Sequence, residues 1–209
     1  MKKSTLPATV FNRRITCQVR EFYTCMESVF RQHDWPVTPA EERADCLFTH
    51  PHFRVSPTKH FSDGAIQVLR LKLSNVPGIS SVPSGPKPKV NWSHTLDVGI
   101  PRSYPMELHR LQIQCQSSLA NPRLRKGGAC LNVRGDIDRV LTDLVYHVLL
   151  EPSRIKPPKL YPGNDHGIDS RVMAWYQKQI DYPQRIHDWL LRRWAERIQN
   201  LQPRSKLES

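Results

Sequence analysis

The chain has 209 residues, of which 38% are hydrophobic, and it carries 31 lysines and arginines against 19 aspartates and glutamates. This length suits one domain with extensions, and no apolar run approaches the ~20 residues that a membrane-spanning helix requires. The formal charge of +12 favours an acidic partner, but it is spread along the chain without an RNP-like motif or zinc-finger spacing, so we do not expect nucleic acid to be that partner.

The five cysteines are scattered and odd in number, and no two of them form a CxxC pair. This pattern argues against a disulfide framework and against a zinc knuckle. The N-terminus is basic but lacks an apolar run long enough for a signal peptide. We therefore predict a soluble, cytoplasmic protein with reduced thiols, which contacts no membrane and needs neither a metal nor a small cofactor.

Residues 11–31 have the periodicity of an amphipathic helix. Apolar side chains recur at steps of three and four residues along one face, at Ile15, Val19, Phe22, Met26 and Phe30. The same stretch carries Arg13, Arg14 and Arg20, so its exposed face is expected to be basic. Two prolines interrupt the pattern in residues 32–45, which we interpret as a connection.

Four stretches after residue 50 are rich in Val, Ile and Leu: HFRVS, IQVLRLKLSNV, HTLDVGI and LHRLQIQCQ. Apolar residues alternate with polar ones, as at Leu69, Leu71 and Leu73, which indicates a sheet with one covered face. Because no helical pattern separates the stretches, they predict a four-stranded antiparallel meander. Residues 77–91 are rich in Pro, Gly and Ser and are predicted to form a mobile loop. With helices before and after the sheet, the class is α+β.

Helical periodicity returns after Cys130. One side of this helix would carry Ile137, Val140, Leu141, Leu144 and Val148. Asp136 or Asp138 is suited to cap its start. After a polar loop, YPGNDHGIDS, two further helices are predicted at 169–180 and 184–200. On the last helix, Trp189 and Trp194 are interpreted as core or interface anchors.

Three local motifs occur at defined places in this order of elements. The third strand ends in IPRSYP, from Ile100 to Pro105, the cysteine lies in NPRLRKGGACL, and the helix after it ends in a Leu-Leu pair. In this order they resemble the ubiquitin-conjugating (E2) family over about residues 50–180. The resemblance implies a UBC-like fold with an N-terminal helix, a four-stranded antiparallel meander and C-terminal helices.

The chain also departs from the family pattern. Where the family has His-Pro-Asn, this sequence has Asn121-Pro122-Arg123, and the family's Trp-x-Pro after the cysteine is missing. The sequence therefore resembles the distant E2 proteins of bacterial conjugation operons, and that setting suggests a role in antiviral defence. On this basis we assign residues 1–49 to an N-terminal helix and connection, 50–182 to an E2-like catalytic core, and 183–209 to a C-terminal basic amphipathic helix and tail.

The resemblance assigns the first half-reaction to Cys130, which would accept a ubiquitin-like protein from an E1-like activating enzyme as a thioester. Such a cysteine needs an accessible thiolate and room for a large acyl group. The two preceding glycines, Gly127 and Gly128, leave the backbone open. Nearby cations are expected to lower the pKa of the thiol: Arg123, Arg125 and Lys126.

The second half-reaction transfers the modifier to a lysine of a target protein. By analogy with the family, Asp165 or Asp169 would orient and deprotonate this amine, and His166 could also accept its proton. Asn121 or a backbone N–H near Cys130 would stabilise the oxyanion. The family's first helix docks the E1 enzyme, which assigns that contact to Arg13, Arg14 and Arg20.

Other interpretations of these residues are open. A lone cysteine is usually a packing residue, and this is our interpretation of Cys17, Cys25, Cys46 and Cys115. Asn121 could be a simple turn initiator, and the polar loop could be merely solvated. For the whole chain, the rival functions are a non-catalytic E2-variant or RWD-type binding module, a basic nucleic-acid-binding protein and, less favoured, a cysteine protease.

Overall fold

The computed structural model describes residues 6–43, 46–81, 88–106, 111–121, 123–129, 135–152, 172, 175 and 183–201. The helices with defined bounds are α1 (Ala8–Gln32), α2 (Ile137–Val148) and α3 (Pro183–Leu201). The strands are β1 (Glu41–Arg43), β2 (Cys46–Thr49), β3 (Phe53–His60), β4 (Ile66–Ile79), β5 (Val90–Gly99), β6 (Gln112–Cys115), β7 (Leu124–Arg125) and β8 (Gly128–Ala129).

Strands β1 to β6 form one sheet in which each strand pairs with the next along the chain, always antiparallel. The register places Leu71 opposite Val55 and Leu96, and Leu96 opposite Cys115. These four side chains are buried, because positions that lie opposite each other in a sheet share a face. One face of the meander is therefore apolar across its central strands.

The predicted four-stranded UBC-like fold is wrong, because the sheet has six strands. Each of the strands β3 to β6 falls within or overlaps one of the four predicted stretches, whereas the two additional strands, β1 and β2, were not predicted. All three residues of β1, a Glu-Glu-Arg run, are exposed, so no apolar alternation marks this strand. Strand β2 has only four residues and follows a proline-containing segment. Short, charged edge strands discourage pairing with other chains.

The predicted mobile loop at 77–91 is also too long. Strand β4 continues to Ile79 and β5 begins at Val90, and these two residues lie opposite each other. Gly78 belongs to the same ladder, where a side chain would collide with the ring of His94, since a Cβ there would lie 2.8 Å from it. Glycine is therefore required by close packing within the sheet, and residues 82–87 lie outside the described part of the chain.

The apolar face of the sheet is covered by α1 and α2, which also contact each other. The predicted apolar faces of both helices are confirmed as buried. Burial of each large apolar side chain contributes roughly 1.5–3 kcal/mol, so this layer supplies much of the stability. No helix in the described ranges is long and apolar enough to cross a membrane.

Helix α3 adds a second contact layer over the end of α1. Trp194 is fully buried and packs edge-on against Phe30, Trp35 and Phe53, with ring centroids 5.5, 4.9 and 6.1 Å away. The predicted helix at 184–200 and the anchoring role of this tryptophan are confirmed. Of the predicted helix 169–180, only Val172 and Trp175 are described, and both have helical backbone.

Candidate active site

Asn121 anchors the segment that leads towards Cys130. Its side chain is buried, and the carboxamide oxygen accepts hydrogen bonds from the backbone N–H groups of Arg123 (2.7 Å) and Leu124 (2.9 Å). The carboxamide nitrogen donates to the backbone oxygen of His147, 2.5 Å away in the last turn of α2. An asparagine bonded in this way stabilises a tight turn. Asn121 thus fixes the start of β7 against the end of α2.

Strands β7 and β8 form a short antiparallel hairpin that is attached to the edge strand β6. At its turn, Gly127 has a φ of +85°, a conformation that residues with side chains rarely adopt. The N–H of Gly127 donates to the carbonyl of Cys115, 2.8 Å away. Leu124, the first residue of the hairpin, is fully buried. The hairpin is therefore held at both its base and its turn, and the next residue along the chain is Cys130.

A second side chain secures the end of α2. Nδ1 of His187, in α3, lies 2.9 Å from the backbone oxygen of Leu149. Because a carbonyl can only accept, the imidazole must donate from this nitrogen. The last carbonyls of a helix lack partners within the helix. His187 and Asn121 therefore each supply a donor to this terminus, which connects α3 and the hairpin to the same point.

Tyr104 links the IPRSYP turn to both helices that cover the sheet. Its hydroxyl donates to Oε1 of Gln18 in α1 (2.5 Å) and also lies 3.2 Å from Oδ1 of Asp136, at the start of α2. Burial, with a smaller contribution from the carboxylate of Asp136, raises the pKa of Tyr104 to about 12. Asp136 occupies the N-cap position, as one of the two predicted caps, but its carboxylate contacts Tyr104 and does not bond to the helix backbone.

The central catalytic predictions lie outside the described residues. This applies to Cys130 and to the predicted acid–base groups of the polar loop, Asp165, Asp169 and His166. Their proposed roles stay predictions. The structure describes the supports on each side of the cysteine: the hairpin that precedes it and the start of α2 that follows it.

The remaining cysteines divide into two pairs. Cys46 and Cys115 are buried, which confirms their interpretation as packing residues, and burial raises the pKa of the Cys115 thiol. The same interpretation is wrong for Cys17 and Cys25, which are exposed. Both lie on α1 between the positions of its apolar face, so the helical period could have placed them at the surface. They are accessible thiols that any chemical test of Cys130 must control for.

Positive charges flank the hairpin and line the outside of α1. Lys126 is exposed at the hairpin turn and Arg123 is partly buried before it. On α1, the three arginines assigned to E1 binding are exposed: Arg13, Arg14 and Arg20. Arg20 forms an ion pair with Glu42 of β1 (2.5 Å), so its charge is partly compensated.

Several supports of this region were not predicted as functional residues. Gln18 is a polar residue on the apolar face of α1, where its burial calls for a partner, and Tyr104 supplies it. His187 gave no such signal, because its acceptor is a backbone carbonyl of a distant element. Within the described ranges, no three His, Cys, Asp or Glu side chains are grouped so that they could hold a metal ion.

Comparison of the sequence with models of known protein families finds no match. Comparison with curated proteins finds no match either. The motifs of the chain and the geometry of Asn121, Tyr104 and the hairpin are therefore the basis for its proposed function.

Proposed function

We propose that the chain is an E2-like conjugating enzyme in which Cys130 carries a ubiquitin-like protein as a thioester. The observation that carries this proposal is the hairpin β7–β8, which is held by Asn121 and β6 and ends at Ala129, directly before Cys130. A nucleophile that must meet a large protein substrate benefits from a fixed support, because misplacement of the reacting atoms lowers the rate steeply.

The proposed chemistry needs no cofactor on this chain. The thiolate of Cys130 attacks the thioester between the modifier and the E1-like enzyme, a new S–C bond forms, and the thiolate of the E1-like enzyme leaves. A deprotonated lysine of the target then attacks the same carbonyl carbon, and Cys130 leaves as thiolate. Asp165 and His166 stay the proposed groups that orient this lysine and accept its proton.

The contacts of Asn121 support a positioning role for this residue in the proposed reaction. Its oxygen already accepts two hydrogen bonds and its nitrogen already donates to a buried carbonyl. To donate to an oxyanion, this buried carboxamide would have to rotate and give up these hydrogen bonds. Arg123, which stands where the family has its asparagine, and a backbone N–H near Cys130 are the remaining candidates for that interaction.

The test is thioester formation with a candidate E1-like enzyme and ubiquitin-like protein encoded by neighbouring genes, with ATP, on a non-reducing gel. The wild type should form an adduct that thiols cleave, Cys130→Ser an adduct that thiols do not cleave, and Cys130→Ala none. Cys17→Ser and Cys25→Ser are the matched controls, because both thiols are exposed, and they should charge as the wild type does.

Absence of any adduct, from a folded protein and an E1-like enzyme shown to be charged itself, would contradict the proposal. The protein would then be interpreted as a non-catalytic binding module. In that case the wild type and Cys130→Ala should bind the modifier with equal affinity. An adduct that survives in Cys130→Ala but disappears in Cys17→Ser or Cys25→Ser would move the nucleophile to α1.

A further inference from the structure

A groove of about 540 Å³ lies on the outer face of the sheet, opposite the face that carries the buried leucines. Its walls come from β3, β4, β5, β6 and the turn after β5. Arg70 and Asp97, which line it, alternate along their strands with the core residues Leu69 and Leu96. Pockets that bind small molecules commonly enclose about 300–1,000 Å³, so the groove has a suitable size.

Two local features of the strands open this groove. Thr58 and Lys59 are consecutive but both line it, whereas successive side chains of a regular strand point to opposite faces. The register of β3 against β4 shifts on both sides of Lys59, which is the mark of a bulge. Gly99 lies between Val68 and Gln112 in the ladder and provides no side chain to fill the floor.

A buried carboxylate organises one side of the groove. Asp97 is only 9% exposed and accepts hydrogen bonds from Nε and Nη2 of Arg70, at 2.8 and 2.9 Å. A third bond comes from Nε2 of Gln116, at 3.1 Å. The bidentate pair between Arg70 and Asp97 fixes the plane of the guanidinium group and neutralises the carboxylate. Arg70 is therefore presented to the groove in one orientation.

Cations exceed anions around the groove. Lys59, Arg70 and Arg102 line it, against Asp97 alone, and Arg102 is paired with Asp63 at 2.7 Å. Even with Asp63 included, three cationic groups face two carboxylates. The two arginines are paired with these carboxylates, so Lys59 supplies the excess positive charge, and excess charge in a concave surface raises the local concentration of ligands of the opposite sign. The groove thus favours an anionic ligand.

The other lining groups can form hydrogen bonds with the uncharged part of a polar ligand. A hydroxyl and three carboxamides serve as donors and acceptors, with one aromatic ring beside them: Thr58, Gln67, Gln112, Gln114 and Phe61. A phosphate monoester combines a charge of roughly −1.5 to −2 with three strongly accepting oxygens. A lysine ammonium, an oriented arginine and several neutral donors suit this group and a polar body attached to it.

We propose that this groove binds a small phosphate ester with a polar body, such as a nucleoside or sugar monophosphate. The site is independent of Cys130 and of the conjugating activity proposed above. Binding should therefore be unchanged in Cys130→Ser, so failure of one proposal leaves the other open to its own test.

The experiment titrates the full chain with AMP and with glucose 6-phosphate, and with adenosine and glucose as uncharged counterparts, by calorimetry and by ¹⁵N chemical shifts. We expect at least one ester to bind and its counterpart to bind more weakly by about tenfold or more. The shifts should include the amide of Gly99 and the side-chain amides of Gln112 and Gln114. Absence of binding by both esters at about 5 mM, a concentration at which a millimolar Kd is measurable, would overturn the proposal.

Variants distinguish specific binding in the groove from a general effect of the positive charge of the protein. Lys59→Glu should weaken ester binding about tenfold or more, and Gly99→Val should abolish it by filling the floor. Lys72→Glu is the control. It makes the same charge change on the outer face of the sheet, in β4 and outside the groove, and should alter the affinity by no more than about twofold. Equal losses in Lys59→Glu and Lys72→Glu would overturn the proposal, as would unchanged binding in Gly99→Val.

Discussion

Two buried polar regions of the molecule differ in how well their polar atoms are satisfied. At the base of the hairpin, the carboxamide of Asn121 makes three hydrogen bonds that connect two elements. Below α3, in contrast, Nδ1 of His52 and Nε1 of Trp194 are buried without a hydrogen-bond partner among the described residues. The rings of these two residues are 5.9 Å apart and belong to one aromatic cluster.

The difference shows what each region contributes. A buried polar group whose oxygen and nitrogen are both hydrogen-bonded rigidifies its surroundings, because alternative conformations leave a donor or acceptor unpaired. A buried imidazole with one ring nitrogen unpaired contributes mainly packing instead, and it resists protonation because its charged form is poorly solvated. The anchor at Asn121 therefore sets geometry next to the proposed nucleophile, whereas the cluster below α3 makes stability depend on pH.

The largest expected effect is the loss of stability in acid. Burial lowers the pKa of His50, His52 and His94 to about 4, from an ordinary value of 6.5. Between these values the unfolded chain binds more protons than the folded protein, so stability is complete above about pH 6.5 and falls as the pH decreases. Each histidine should remove roughly 2 kcal/mol between pH 7 and pH 5. Urea unfolding at pH 7 and pH 5 measures the combined loss from the three histidines. Equal free energies of unfolding at the two pH values would contradict the prediction.

The second-largest expected effect concerns the hydrogen bonds of Asn121 at the base of the hairpin. Asn121→Ala removes the hydrogen bonds from the backbone N–H groups of Arg123 and Leu124 and the bond to the carbonyl of His147, which keeps its backbone bond from Leu150. This loss should cost about 3 kcal/mol. Asn91→Ala is the matched control, because the side chain of Asn91 forms a single, exposed turn bond to the N–H of Ser93. Its loss should cost no more than about 0.5 kcal/mol. Urea unfolding at pH 7.5 compares the two variants, and similar losses would show that the Asn121 bonds contribute little.

The sequence predicted most of the elements near these regions, because their apolar faces are periodic. The helix pattern at Ile15 and Val19 and the alternation at Leu69 and Leu71 reflect burial against one layer, which local sequence records directly. It did not reveal β1, because all three of its residues are exposed and charged, and they are held by pairing with β2 and by the ion pair between Glu42 and Arg20. The six-stranded sheet therefore could not be read from apolar spacing.

The candidate site was predictable in part. The position of Asn121 was marked by its motif, but the three partners that define its geometry come from distant or backbone groups, which no spacing rule specifies. The groove on the outer face depends on a bulge at Lys59 and on the absence of a side chain at Gly99. Both features become visible only once the register of four strands is known.

The smallest effect tests whether the unpaired Nδ1 of His52 changes the free energy of unfolding when the ring is neutral. His52→Phe keeps a ring in the aromatic cluster and removes a nitrogen that has no partner, at the cost of one hydrogen bond to the backbone of Ser74. At pH 8 its free energy of unfolding should stay within about 1 kcal/mol of the wild type. The decline between pH 7 and pH 5 should be smaller by roughly 2 kcal/mol, since one titrating group is gone. His60→Gln, at an exposed histidine of β3, is the control and should keep the full decline. If His52→Phe costs as much at pH 8 as Asn121→Ala does, the imidazole of His52 is as well bonded as the carboxamide, and the contrast between the two regions is lost.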